Sequence, residues 1–174
     1  MISRRTFIVA GTAGGAALVI AWWLRGGPGR PRANIEPTLA GLDPEAPAIV
    51  AAIVPVMLAG ALPAEPGLRQ ASIRDTVAGV ERAVTGLNPY AQQELAQLFS
   101  LLAFSPARIA LTGVHAPWGE ATPEAVSAFL ERWRTSSFAL LRSAYDALHQ
   151  LVCAAWYGNP KTWPAIGYPG PPDI

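Results

Sequence analysis

Hydrophobic positions along the chain fall into blocks that differ in period. The first is an uncharged apolar run from Phe7 to Leu24, followed by Arg25 and a Gly/Pro/Arg stretch. Residues 26–44 (GGPGRPRANIEPTLAGLDP) have no period and read as linker. A second uncharged stretch, Ala46 to Ala64, is 19 residues long and broken by Pro47, Pro55 and Pro63. It predicts a kinked helix buried in a protein core, with a membrane span as the alternative reading. Pro63 and Pro66 mark a turn. Beyond them Ile73, Val77, Val80, Val84 and Leu87 recur at a 4-3-4-3 spacing, the stripe of an amphipathic helix.

The later segments repeat one grammar. Asn88-Pro89 places a capping side chain before a proline at the first helical position. Leu95, Leu98, Phe99 and Leu102 then share one face, and Ser105-Pro106 ends or kinks that helix. A short segment, Ala107–Leu111, stops at Gly113 before the irregular VHAPWGEA. Thr122-Pro123-Glu124 opens another helix, with Val126, Phe129, Leu130 and Trp133 as its apolar face. The last helix is expected from about Ser137 to Trp156, its stripe formed by Phe138, Leu141, Tyr145, Leu148 and Val152. No window alternates with period two between turn signals, so no strand is predicted. The expected class is all-α: a compact bundle of four to five amphipathic helices, an N-terminal signal or anchor helix, and an irregular Pro/aromatic tail. In domain terms this gives a leader over 1–33, a linker over 34–45, and a helical domain over 46–174 whose tail occupies 156–174.

Charge sharpens the division. Residues 1–35 hold five arginines and no acid, whereas the remainder has 8 basic and 12 acidic residues, a net of 8 − 12 = −4. That body lacks the cationic surface of a nucleic-acid-binding domain. The chain is 51% hydrophobic and 14% charged, with a mean hydropathy of +0.27, too apolar for a disordered tail. Its single cysteine excludes an intramolecular disulfide and a cysteine-based metal cage.

The basic head and apolar run have the layout of an export signal. Ser3, Arg4, Arg5, Phe7 and Ile8 resemble the twin-arginine translocation motif, with Val9 where lysine is often found. That resemblance places residues 26–174 in the periplasm. An ordinary membrane helix starting with two arginines is the alternative. If the leader is uncleaved, residues 7–24 anchor the chain: 18 residues at 1.5 Å rise reach about 27 Å, close to a hydrocarbon core of roughly 30 Å.

Reactive constellations are sparse. No glycine-rich phosphate loop followed by lysine occurs, Lys161 being the only lysine, and no C-x-x-C-H haem motif is present. Cys153 and His149 stand four apart on one helix, but Cys153 lies among apolar residues and reads as a packed thiol. His115 with Glu120 on the irregular loop is the pair on which a stand-alone periplasmic enzyme would have to rely. No catalytic, cofactor-binding or metal-binding residue is assigned. The tail, WYGNPKTWPAIGYPGPPDI, sets Trp156, Tyr157, Trp163 and Tyr168 among five prolines and three glycines. Rigid aromatics of this kind suit a docking surface, or fold back to fill gaps in the chain's own helices. Trp118 poses the same question on the VHAPWGEA loop.

The helix ending Ala155-Trp156-Tyr157, followed by Asn159-Pro160, Trp163 and Ile166-Gly167-Tyr168-Pro169-Gly170-Pro171, resembles the closing motif of the gluconate 2-dehydrogenase subunit 3 family. Ile53-Val54-Pro55 is similar to that family's opening helix, and a twin-arginine leader is a further match. Residues 70–135 match only in helical character. The resemblance implies a small accessory subunit, itself no catalyst and holding no cofactor. It would accompany a large FAD-dependent subunit of the glucose–methanol–choline type through the twin-arginine translocase, with electrons passing on to a cytochrome subunit. Trp118, Trp156, Tyr157, Trp163, Tyr168 and Pro169 are then the expected partner-binding residues. A membrane-anchored adaptor for a non-flavin redox partner is a further alternative.

Overall fold

The structure, a computed structural model, describes residues 42–170, the side chains of 165 and 166 excepted. The leader and its Ser3, Arg4, Arg5, Phe7 and Ile8 lie outside the described residues. Helix α1 (Ala46–Met57) is the apolar opening of the body. Having no charged residue along its length, it has no face that prefers water, and Ala46, Ile49, Val50, Ile53 and Val54 are buried. It touches four of the five other helices, which makes it the axis of the bundle. The apolar run predicted as helix through Ala64 stops earlier. Pro55 lies in the last turn, and the chain turns away after Leu58, with Gly60 at φ +85°. Leu58 and Leu62 still return to the core.

Helix α2 (Pro66–Thr85) starts at a glutamate cap: both carboxylate oxygens of Glu65 accept backbone N–H bonds, from Gly67 at 2.8 Å and Leu68 at 2.6 Å. Helix α3 (Pro89–Ala103) is capped by Asn88, whose Oδ1 accepts from Ala91 N at 3.0 Å. Helix α5 (Pro123–Arg134) is capped by Thr122, with Glu124 in its first turn and Arg132 and Arg134 in its last. Helix α6 (Ala139–Tyr157) closes the bundle. Between α3 and α5, Ser105–Thr112 forms a separate helix, α4, bent by 92° from α3. Pro106 starts it and Gly113, at φ +67°, ends it.

The described residues thus hold six α-helices and no strand, one helix more than the four to five expected. The class is all-α. Two short 3-10 helices, Trp118–Glu120 and Pro160–Ile166, replace what read as irregular chain. No single helix among the described residues is long and apolar enough to cross a membrane.

The most extensive helix pairing joins α2 and α6. Gly79 makes it possible, because a Cβ there would stand 2.9 Å from Cβ of Ala155. Beneath α1, Phe129 of α5 lies between two indoles: Trp118 at 6.0 Å and Trp133 at 4.8 Å, both edge-on. Two positions of the expected stripes are not core. Phe138 is 59% exposed and Leu87 is 37% exposed, so the start of α6 and the end of α2 leave apolar surface uncovered.

Candidate functional site

The aromatic residues divide by what their polar atoms do. A helix leaves its last four carbonyls without an internal partner. Trp118 Nε1 donates to Leu102 O at 2.9 Å, in the last turn of α3. Trp133 Nε1 donates to Leu111 O at 3.0 Å, in the last turn of α4. Trp163 Nε1 donates to Tyr157 O at 2.7 Å, at the end of α6. Each indole satisfies a carbonyl that its helix cannot. Trp118 and Trp156 are both 2% exposed, so their rings belong to the core. Trp156 differs from the rest: its buried Nε1 has no partner among the described residues.

Through Gly170 the tail is fastened to the body. Asn159 caps the closing 3-10 helix through Lys161 N, and Thr162 Oγ1 donates to Trp156 O at 2.7 Å. Lys161 Nζ meets Asp75 of α2 at 2.9 Å, an exposed pair of small energetic weight. Half-buried Trp163 carries Tyr168 edge-on at 5.2 Å. Tyr157 is 52% and Tyr168 45% exposed, and Pro169 beside them is exposed. Of the six expected docking residues, these three present their side chains to solvent.

His115 and Glu120 are exposed on the loop before α5 and line neither cavity described below. What holds that loop is Arg108, a residue the sequence did not single out. Its buried guanidinium donates to the carbonyls of Val114 and His115, both at 3.3 Å. Periodicity could have marked it, since Arg108 interrupts an apolar segment where a solvated cation would be out of place.

Cys153 Sγ lies 3.6 Å from His149 Nε2, and His149 stacks on Tyr145 at 5.8 Å. Burial pushes the Cys153 thiol up, which disfavours the thiolate a nucleophile needs. A small polar cleft of about 200 Å³ borders His149, with Met57 on one side and the exposed Glu131–Arg134 ion pair on another. Among the described residues no group of three or more His, Cys, Asp or Glu is placed to hold a metal ion.

A second, larger concavity is apolar. It measures about 550 Å³ and runs between α3 and α6, floored by Leu95, Leu98, Leu151 and Trp133, with Leu87 and Leu140 at its lip. Glu94 is its one charged lining residue. Comparison with family models, with curated proteins and with solved structures finds no match for this chain.

Proposed function

We propose that this chain is a non-catalytic small accessory subunit. It binds a large FAD-dependent dehydrogenase of the glucose–methanol–choline type, carries it through the twin-arginine export route, and assists its maturation or membrane attachment. The flavin resides on the partner, and a cytochrome c subunit of the same complex accepts the electrons. The observation carrying this reading is the tail: an aromatic, proline-rich segment pinned to the body, with Tyr157, Tyr168 and Pro169 turned outward. Pre-ordered aromatic side chains lose little entropy on docking, which favours their use as interface anchors. The resemblance of the same tail to the gluconate 2-dehydrogenase subunit 3 family supplies the identity of the partner.

The test is co-expression with the large flavoprotein subunit. A flavin-bearing large chain should co-purify with this one and reach the periplasm only in its company. Tyr157→Ala together with Tyr168→Ala should weaken co-purification while leaving the helical signal intact. Full export and activity of the flavoprotein without this chain would overturn the proposal.

A further inference from the structure

Helices α3 and α6 are not a packed pair, and the 550 Å³ groove lies open between them. Along α6 it runs from Leu140 to Ala154, about 21 Å at 1.5 Å per residue. Its depth is graded. Leu95, Leu151 and Trp133 on the floor are buried, whereas Glu94, Ser143 and Gln150 at the mouth are exposed. The Glu94 carboxylate also pushes the neighbouring Tyr90 phenol above its ordinary range, by a hydrogen bond and then by its charge, so it accepts a donor at this rim. An apolar floor under a few polar groups is the anatomy of a small-molecule site, and such sites occupy about 300–1,000 Å³.

We propose that this groove binds one long-chain amine or alcohol, an amphiphile whose head carries a hydrogen-bond donor and no negative charge. Length selects the chain: a hydrocarbon of about sixteen carbons, at about 1.3 Å per carbon, is as long as the groove. Its methylenes leave water for a floor of leucine, alanine and one indole, which is the driving force for binding. Charge selects the head. Glu94 is the one charged lining residue and no basic residue lines the groove. A carboxylate only accepts hydrogen bonds, so Glu94 pairs with an ammonium or a hydroxyl and repels a carboxylate or phosphate head, which would find no cation there. None of the six expected docking residues lines the groove, so the inference is independent of the function proposed above.

Photoaffinity labelling of the full-length chain tests it. Three probes share a diazirine-bearing chain of the length above and differ only in the head: ammonium, hydroxyl or carboxylate. Peptide mass spectrometry maps the labelled positions, which separates the groove from the apolar run Phe7–Leu24. The amine and the alcohol should label residues 87–101 and 140–154 roughly fivefold more than the carboxylate does, and excess unlabelled hexadecylamine should compete. Glu94→Gln, an exposed change, should bring the amine and carboxylate probes within about twofold of each other. Ser143→Trp, which obstructs the exposed mouth and spares the core, should lower groove labelling by all three roughly tenfold. Labelling spread evenly over the surface, or confined to Phe7–Leu24, would overturn the proposal. So would a head preference that survives Glu94→Gln. Groove labelling that disappears as protein concentration rises would also overturn it, by giving the groove to a second copy.

Discussion

Leu102, Leu111 and Tyr157 each present a carbonyl at a helix end, and each meets an indole N–H. The bond exchanges a water contact for a protein one, and its weight shows when the donor is removed and the carbonyl stays buried. Trp133→Phe should therefore destabilise more than Trp156→Phe, by about 1–2 kcal/mol, although both remove the same atoms from the core. The first orphans Leu111 O, while the second deletes an Nε1 that already lacks a partner. Urea denaturation with unchanged m-values would measure the difference, and equal losses would deny the indoles a capping role. None of this division was legible in the residue names. Tryptophan joins a large apolar body to one polar tip, so the same residue suits an interface or a core. Only the neighbours that the fold brings to Trp118 and Trp156 decide the matter, and those neighbours are distant in sequence. The apolar flanks of Cys153 argued for a packed thiol, and the structure leaves it only half-buried, beside His149. It should react slowly with iodoacetamide at neutral pH, since burial holds the thiol in its protonated form; rapid alkylation would contradict this.

Helix starts were the most readable feature of the elements. Asn88-Pro89 and Thr122-Pro123 cap α3 and α5 as their residue types dictate. Pro63 and Pro66 read only as a turn and Glu65 was not singled out, glutamate not being among the favoured capping residues, yet its carboxylate takes two backbone N–H bonds. Those bonds, with Leu68 the stronger contributor, hold the Glu65 carboxyl below the ordinary carboxylate range. A depressed folded-state pKa adds stability above the unfolded value and loses it as pH falls through the folded one. Wild type should therefore lose stability on acidification through and below the ordinary glutamate range more steeply than Glu65→Gln. Denaturation midpoints across that window test the point, and parallel curves would count against it. Helix α4 was harder to see, since the eight residues of Ser105–Thr112 are too few for a periodic pattern to declare itself.

For the molecule as a whole, the all-α class follows from stripes that cannot be buried alone, and the structure agrees. Which stripe faces which was not legible: an amphipathic face specifies burial, not a partner. The α2–α6 seam turns on Gly79, which within a helical pattern looks merely tolerated. Gly79→Val should lower stability by about 2 kcal/mol, because a side chain at 2.9 Å from Ala155 forces the helices apart. Thermal unfolding should register this as a fall of roughly 5 °C or more. Phe138 at the start of α6 is the reverse case, since it lay on the expected stripe yet stays largely exposed. The seam also has a consequence in time. Pro66 leaves the ribosome 73 residues ahead of Ala139, an interval of roughly 4–15 s at 5–20 residues per second. For those seconds α2 lacks the surface that covers it, and a chain terminated before Ala139 stays in that condition permanently.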